Sequence, residues 1–192
     1  MILQQVIQRL SADSRIAEVV VTAAGVDPQT GQTCTTIKFL EFDSRMRPLK
    51  PKYFTFSSNI IQFQAMVIRF DDYYVKKGDS LRGKSAYIFM KVFTLGDKGA
   101  EVCQINEINQ VPSGYAISQV STAFERKLWR EFWKYALSPS KAKKQGVKNA
   151  QIEAPGSKFL PGYIYTLKIE HDGGIRIDVQ PVPEVLRGEK IE

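Results

Sequence analysis

The chain has 192 residues, of which 43% are hydrophobic and 24% are charged, so it is long enough to bury a full core and is unlike an intrinsically disordered chain. No apolar run approaches the roughly 18 residues that a membrane-spanning helix needs. The formal net charge of +7 favours acidic partners such as nucleic acid, anionic lipid or acidic protein faces.

The N-terminal residues have the pattern of a short helix. Apolar side chains recur on one helical side over residues 1–12, and some of them follow the three-then-four spacing of a coiled-coil seam. So short a segment cannot sustain a coiled coil by itself. We expect it to pack on the domain or to serve as a linker or self-association segment.

From residue 15 onward the pattern becomes that of β-strands. Apolar and polar residues alternate over 16–24 and 33–42, and the turn residues of Asp27–Gly31 lie between them, which predicts a β-hairpin. After a basic connection broken by prolines, residues 53–56 form a further short strand. Residues 60–70 alternate most regularly and are the best candidate for a central strand.

Residues 78–85 match the phosphate-loop consensus G-x-x-x-x-G-K-[ST], with Gly78, Gly83, Lys84 and Ser85 at its fixed positions. A phosphate loop lies between a buried apolar strand and a helix whose N-terminus supplies part of the anion site. Residues 71–77 are too charged for such a strand, and residues 86–93 are rich in aromatic and β-branched types that favour a strand over a helix. We therefore interpret the motif as a turn, keep a phosphate site as a minor alternative, and expect no cofactor.

Two further strands follow the motif. Residues 86–95 and 102–108 have strand composition, and Gly96-Asp97-Lys98-Gly99 is a typical hairpin turn.

The clearest helix spans Thr122 to Leu137. Thr122 and Glu125 form a capping box, and Pro139 ends the helix. Apolar residues at helical spacing predict its buried stripe, which comprises Phe124, Leu128, Trp129, Phe132, Tyr135 and Ala136.

A row of cations marks the opposite side of this helix. Arg126, Arg130 and Lys134 are four residues apart, where like charges repel. The row predicts a surface that binds an acidic partner or single-stranded nucleic acid. Trp133 lies at its edge, where its ring could stack on a base. The alternatives are a solvated face on which Lys127 pairs with Glu131, and a Trp133 that packs against the sheet.

The polar stretch after the helix predicts a second helix or a loop that ends near Pro155-Gly156. Its lysines extend the cationic row if the stretch folds back beside the helix; those assigned to the face are Lys141, Lys143 and Lys144. Strands over 163–170 and 175–180 then form a hairpin around His171-Asp172-Gly173-Gly174. A polar tail over 183–192 follows.

Residues suited to catalysis or metal binding are few. Cys34, Cys103 and the single histidine, His171, are too few for a structural zinc site. His171 falls in a predicted turn, so neither a catalytic pair nor a bound metal is expected. A disulfide between the two cysteines stays open, although buried free thiols are the commoner arrangement.

These patterns predict an α+β, β-rich fold of about eight mainly antiparallel strands, sandwich or barrel-like, with one long amphipathic helix before a C-terminal hairpin. Residues 15–182 are predicted to form one domain. The function we expect is that of a non-enzymatic binding or assembly module that contacts a protein partner or further copies of itself. Single-stranded nucleic-acid binding through the basic helix face is the alternative.

Overall fold

A computed structural model describes residues 17–43, 46–70, 85–96, 99–116, 122–138, 140–141, 147–169 and 174–186. The predicted N-terminal helix, the turn at His171 and most of the phosphate-loop match lie outside these residues. The described part contains one long helix, α1 (Ala123–Ala136), and ten strands. The strands are β1 (Ala17–Val26), β2 (Thr33–Glu41), β3 (Lys52–Phe56), β4 (Ile60–Phe70), β5 (Ser85–Gly96), β6 (Gly99–Gln104), β7 (Val147–Glu153), β8 (Gly156–Lys158), β9 (Tyr163–Ile169) and β10 (Ile175–Pro181).

Five strands form the first sheet, sheet I, in the order β10-β9-β1-β2-β3, and every pair is antiparallel. The predicted hairpins at both ends of the chain are confirmed, since β1 pairs with β2 and β9 pairs with β10. The β1–β2 turn closes because Asp27 N–H donates to Gln32 O at 2.8 Å and Gly31 takes a φ of 68°, which glycine adopts without a steric penalty.

The second sheet, sheet II, has the order β6-β5-β4-β7, and β8 also pairs with β4. The prediction that residues 60–70 form a central strand is confirmed, because β4 has β5 on one side and β7 and β8 on the other. The prediction of a helix or loop before Pro155-Gly156 is wrong for residues 147–153, which form β7. Their composition is a weak strand signal, and hydrogen bonding to β4 determines their structure.

The two sheets pack face to face, and alternate residues of their strands fill the space between them. Phe39 of β2 stacks on Phe63 of β4 with ring centroids 5.4 Å apart, and it meets the ring of Phe89 edge-on at 5.2 Å. All three rings are buried. The architecture is therefore a β-sandwich, and the predicted β-rich, mainly antiparallel class is confirmed.

Helix α1 forms a third layer on the other face of sheet II. It packs on Met66 and Ile68 of β4 and on Ile88 and Met90 of β5. All four residues from Ala65 to Ile68 are buried, since β4 faces the sandwich on one side and the helix on the other. This explains the near-continuous apolar run over 65–68, which is typical of strands covered on both faces.

The two cysteines, Cys34 and Cys103, are free thiols and half-buried. Burial raises the pKa of the Cys103 thiol, and the neighbouring Glu101 raises it further. Of the helices in the described part of the chain, none is long and apolar enough to cross a membrane.

Candidate basic face on the helix

Helix α1 starts at a well-formed N-cap. The backbone N–H of Glu125 donates to Thr122 Oγ1 at 3.1 Å, as the predicted capping box requires. The Glu125 side chain is only 1% exposed.

Two tryptophans fix α1 on sheet II. Trp129 and Trp133 are both 0% exposed, and the Trp129 ring lies 5.4 Å from Tyr115 and 5.1 Å from Phe132. The indole N–H of Trp133 donates to Gln110 O at 2.9 Å. The helix cannot rotate without breaking this packing, so the orientation of its outer face is set.

The segment that contains Gln110, which accepts the hydrogen bond from Trp133, is itself held by a buried asparagine. Asn106 Nδ2 donates to Phe89 O at 2.7 Å, and Asn106 Oδ1 accepts hydrogen bonds from Ser113 N–H at 2.9 Å and Ser113 Oγ at 3.0 Å. Tyr115, farther along the segment, donates its hydroxyl to Tyr87 O at 2.9 Å. The loop between β6 and α1 is thus tied to β5, and it positions the helix.

The outer side of α1 carries four exposed cations, Arg126, Lys127, Arg130 and Lys134, which we call the basic face. They lie within about 100° of helical rotation at 100° per residue. The three cations of the predicted row are exposed, and Lys127 lies beside them. Guanidinium groups bind carboxylates and phosphates through two parallel hydrogen bonds, and lysines add point charges.

Glu131 is a carboxylate beside the basic face. Its Oε1 lies 2.7 Å from Lys134 Nζ. The hydrogen bond from Lys134 lowers the pKa of Glu131, and the charges of Lys134, Lys127 and Arg130 lower it further. The Glu131 carboxylate thus interacts with three of the four cations of the basic face.

Trp133 is not part of the basic face. Because its ring is fully buried, it cannot stack on a base, and the alternative in which it packs against the sheet is the one observed. Lys141 is exposed shortly after the helix. Lys143 and Lys144 lie outside the described residues.

The prediction of the buried helix stripe is wrong at Phe124. This residue is 56% exposed, because it lies in the first turn of the helix at the margin of the stripe. Leu137, just after the helix, is similarly exposed. An exposed apolar side chain therefore stands near each end of the basic face.

The phosphate-loop match falls between β4 and β5, which pair antiparallel with Arg69 opposite Ser85. Gly78, Gly83 and Lys84 lie outside the described residues, while Ser85 begins β5. The residues after Ser85 form a strand, as their composition predicted. Elsewhere, the described residues contain no group of three or more His, Cys, Asp or Glu side chains placed to hold a metal ion.

Comparisons with known proteins give no match: no family model fits the sequence, and no curated protein or solved structure is significantly similar to it.

Proposed function

We propose that this protein is a non-enzymatic binding module that docks an acidic segment of a partner protein on the basic face of α1. The observation that carries the proposal is the set of four exposed cations on a single helix side. Clusters of like charge on one helix side repel each other. An acidic ligand relieves that repulsion, so binding gains energy beyond the new ion pairs themselves.

The rigidity of α1 supports the same function. Trp129 and Trp133 hold the helix in place before any partner arrives. The helix then loses little conformational entropy when a partner binds, which increases affinity. Phe124 and Leu137 supply apolar contacts at the margins, and protein interfaces combine such contacts with charged ones.

The choice between an acidic protein segment and single-stranded nucleic acid rests on the aromatic residues. Proteins that bind single strands combine cations with exposed rings on which bases stack. Trp133 is buried, and Phe124 lies beyond Glu131, away from the arginines. The four cations thus lack an interleaved ring among the described side chains of α1, which favours a carboxylate-bearing partner.

The test is a fluorescence anisotropy titration of a labelled peptide of alternating glutamate and leucine. Arg126→Glu combined with Arg130→Glu should raise the Kd about tenfold or more, since two attractive ion pairs become repulsive. The matched control combines Lys50→Glu with Lys158→Glu, which changes the net charge equally at exposed sites elsewhere. It should leave the Kd nearly unchanged.

Three results would contradict the proposal. Equal loss in both variants would mean that the peptide responds to net charge alone. No binding even at low salt would make the basic face a solvated surface. The protein could instead bind a labelled mixed-sequence single-stranded oligonucleotide more tightly than the peptide, and lose that binding in the Arg126/Arg130 variant. The ligand of the basic face would then be nucleic acid and not an acidic protein segment.

A further inference from the structure

Three of the four sheet edges in the described structure carry features that discourage strand pairing. At the β3 edge, Lys52 points inward and donates to Ile105 O at 2.8 Å. The β7–β8 edge is interrupted by Pro155, and β10 carries the charged Asp178 and ends at Pro181. Inward charges, surface charges and prolines on edge strands are the usual protection against pairing with another chain.

The fourth edge, β6, has only one of these features, an inward-pointing charge that is already hydrogen-bonded within the protein. Its sequence, Gly-Ala-Glu-Val-Cys-Gln, contains neither proline nor a basic residue. Its one charged side chain, Glu101, turns toward sheet I, where its carboxylate accepts hydrogen bonds from the N–H and hydroxyl of Ser57. In the described residues β5 is the only strand that pairs with β6.

Apolar side chains stand beside this edge on the outer face of sheet II. Val102 is 51% exposed and lies opposite Phe93 of β5, and Leu95 is 67% exposed opposite Ala100. Lys91 Nζ lies 5.7 Å above the Phe93 ring. A strand added to β6 would cover Val102 and extend this apolar strip.

We propose that two copies of this chain pair antiparallel along β6, so that sheet II continues across a two-fold axis. A second copy fits because the edge is self-complementary. Rotation about a two-fold axis perpendicular to the sheet leaves each side chain on the face where it started. Directly opposed residues of antiparallel strands share a face, so the residue at the axis must lie opposite its own copy in the second chain. The candidate centres within the strand are Ala100, Glu101, Val102 and Cys103.

Cross-strand chemistry selects among these registers. A centre at Glu101 places two carboxylates opposite each other, which is unfavourable. A centre at Ala100 pairs only residues 99–101 within the strand, and a centre at Cys103 pairs only residues 102–104. A centre at Val102 pairs residues 100–104, places valine opposite valine and opposes no like charges. The pairing is therefore centred on Val102.

This arrangement places both copies of α1 on the same side of the extended sheet. If the basic face binds as proposed above, the dimer presents two such faces side by side and gains avidity for a repeated acidic partner. The pairing through β6 does not depend on that function, and the oligomeric state tests it separately.

Sedimentation equilibrium of the full chain across the micromolar range tests the pairing. A dimer is expected, and Val102→Lys should raise its Kd about tenfold or more, because two ammonium groups would face each other. The matched control is Val179→Lys, on the edge strand β10 at similar exposure (48%), which should leave the Kd nearly unchanged. A monomer at every concentration, or equal effects of the two variants, would overturn the proposal.

Crosslinking tests the register and does not rely on the folding of the lysine variant. In a Cys34→Ser, Cys103→Ser background, Val102→Cys should form a disulfide between copies under oxidised glutathione, since the two side chains are directly opposed. Ala100→Cys in the same background should not, because residue 100 faces Gln104 of the second copy. Equal crosslinking of both variants, or of neither, would overturn the Val102-centred pairing.

Discussion

At the residue scale, Tyr165 shows how a single buried hydroxyl joins two parts of the sandwich. Its oxygen accepts a hydrogen bond from Leu160 N–H at 2.7 Å and donates one to Lys158 O at 3.0 Å. The ring is 2% exposed and lies 4.3 Å from Phe159. The hydroxyl thus holds the end of β8 and the turn that follows it against β9.

This arrangement predicts a specific loss of stability at alkaline pH. Burial raises the pKa of Tyr165 above its ordinary value of 10.0, and the hydrogen bond from Leu160 offsets part of that effect. The stabilisation is therefore complete below pH 10 and is lost as the pH rises through the folded-state pKa, because the unfolded chain ionises first.

Urea unfolding of the wild type and Tyr165→Phe between about pH 8 and pH 11 measures this loss. At pH 8 the variant should be less stable by about 1 kcal/mol, the usual value of such a hydrogen bond. The difference should shrink above pH 10, because only the wild type carries this ionisable group. If the free energies of unfolding of the two proteins differed by the same amount at every pH, Tyr165 would have the same pKa in the folded and unfolded states.

At the element scale, α1 is attached through two tryptophans that differ in hydrogen bonding. Trp133 Nε1 donates to Gln110 O. Trp129 Nε1 is buried and has no hydrogen-bond partner in the described structure. An unsatisfied buried donor costs about 1–3 kcal/mol, so the two indoles make different contributions to the stability of the same helix.

We expect Trp133→Phe to destabilise the protein more than Trp129→Phe, by about 2 kcal/mol. Both changes remove a similar volume from the same cluster, but the first also removes a hydrogen bond and the second removes an unsatisfied donor. Urea unfolding followed by far-UV circular dichroism gives the comparison. Equal losses would mean that Trp129 Nε1 has a partner, such as a buried water.

The same elements show what a sequence can predict and where it stops. The predictions of a strand at residues 60–70 and of helix α1 were correct because the apolar residues repeat with the period of each structure. That period is two residues for the strand and 3.6 residues for the helix. β7 and β8 were missed because their strand structure comes from pairing with β4, which composition does not encode. The basic row was visible as a four-residue spacing, whereas the burial of Trp133 depends on Gln110, more than 20 residues away in the sequence.

At the scale of the whole molecule, sheet II is shared by two hydrophobic clusters. Ile37 of β2 belongs to the cluster between the sheets, and Ile88 of β5 belongs to the cluster under α1. The strands β4 and β5 contribute side chains to both clusters. Loss of packing on one face should therefore weaken the strands that support the other, and we expect the three layers to unfold as one cooperative unit.

Ile37→Val and Ile88→Val test this coupling as a matched pair. Each removes one buried methylene and should cost about 1 kcal/mol. Both tryptophans belong to α1, so tryptophan fluorescence reports the helix layer, while far-UV circular dichroism reports mainly the strands. In a cooperative unit each variant shifts both urea midpoints equally. If Ile88→Val lowered only the fluorescence midpoint, α1 would be unfolding separately from the sandwich, and residues 15–182 would not form the single domain predicted from the sequence.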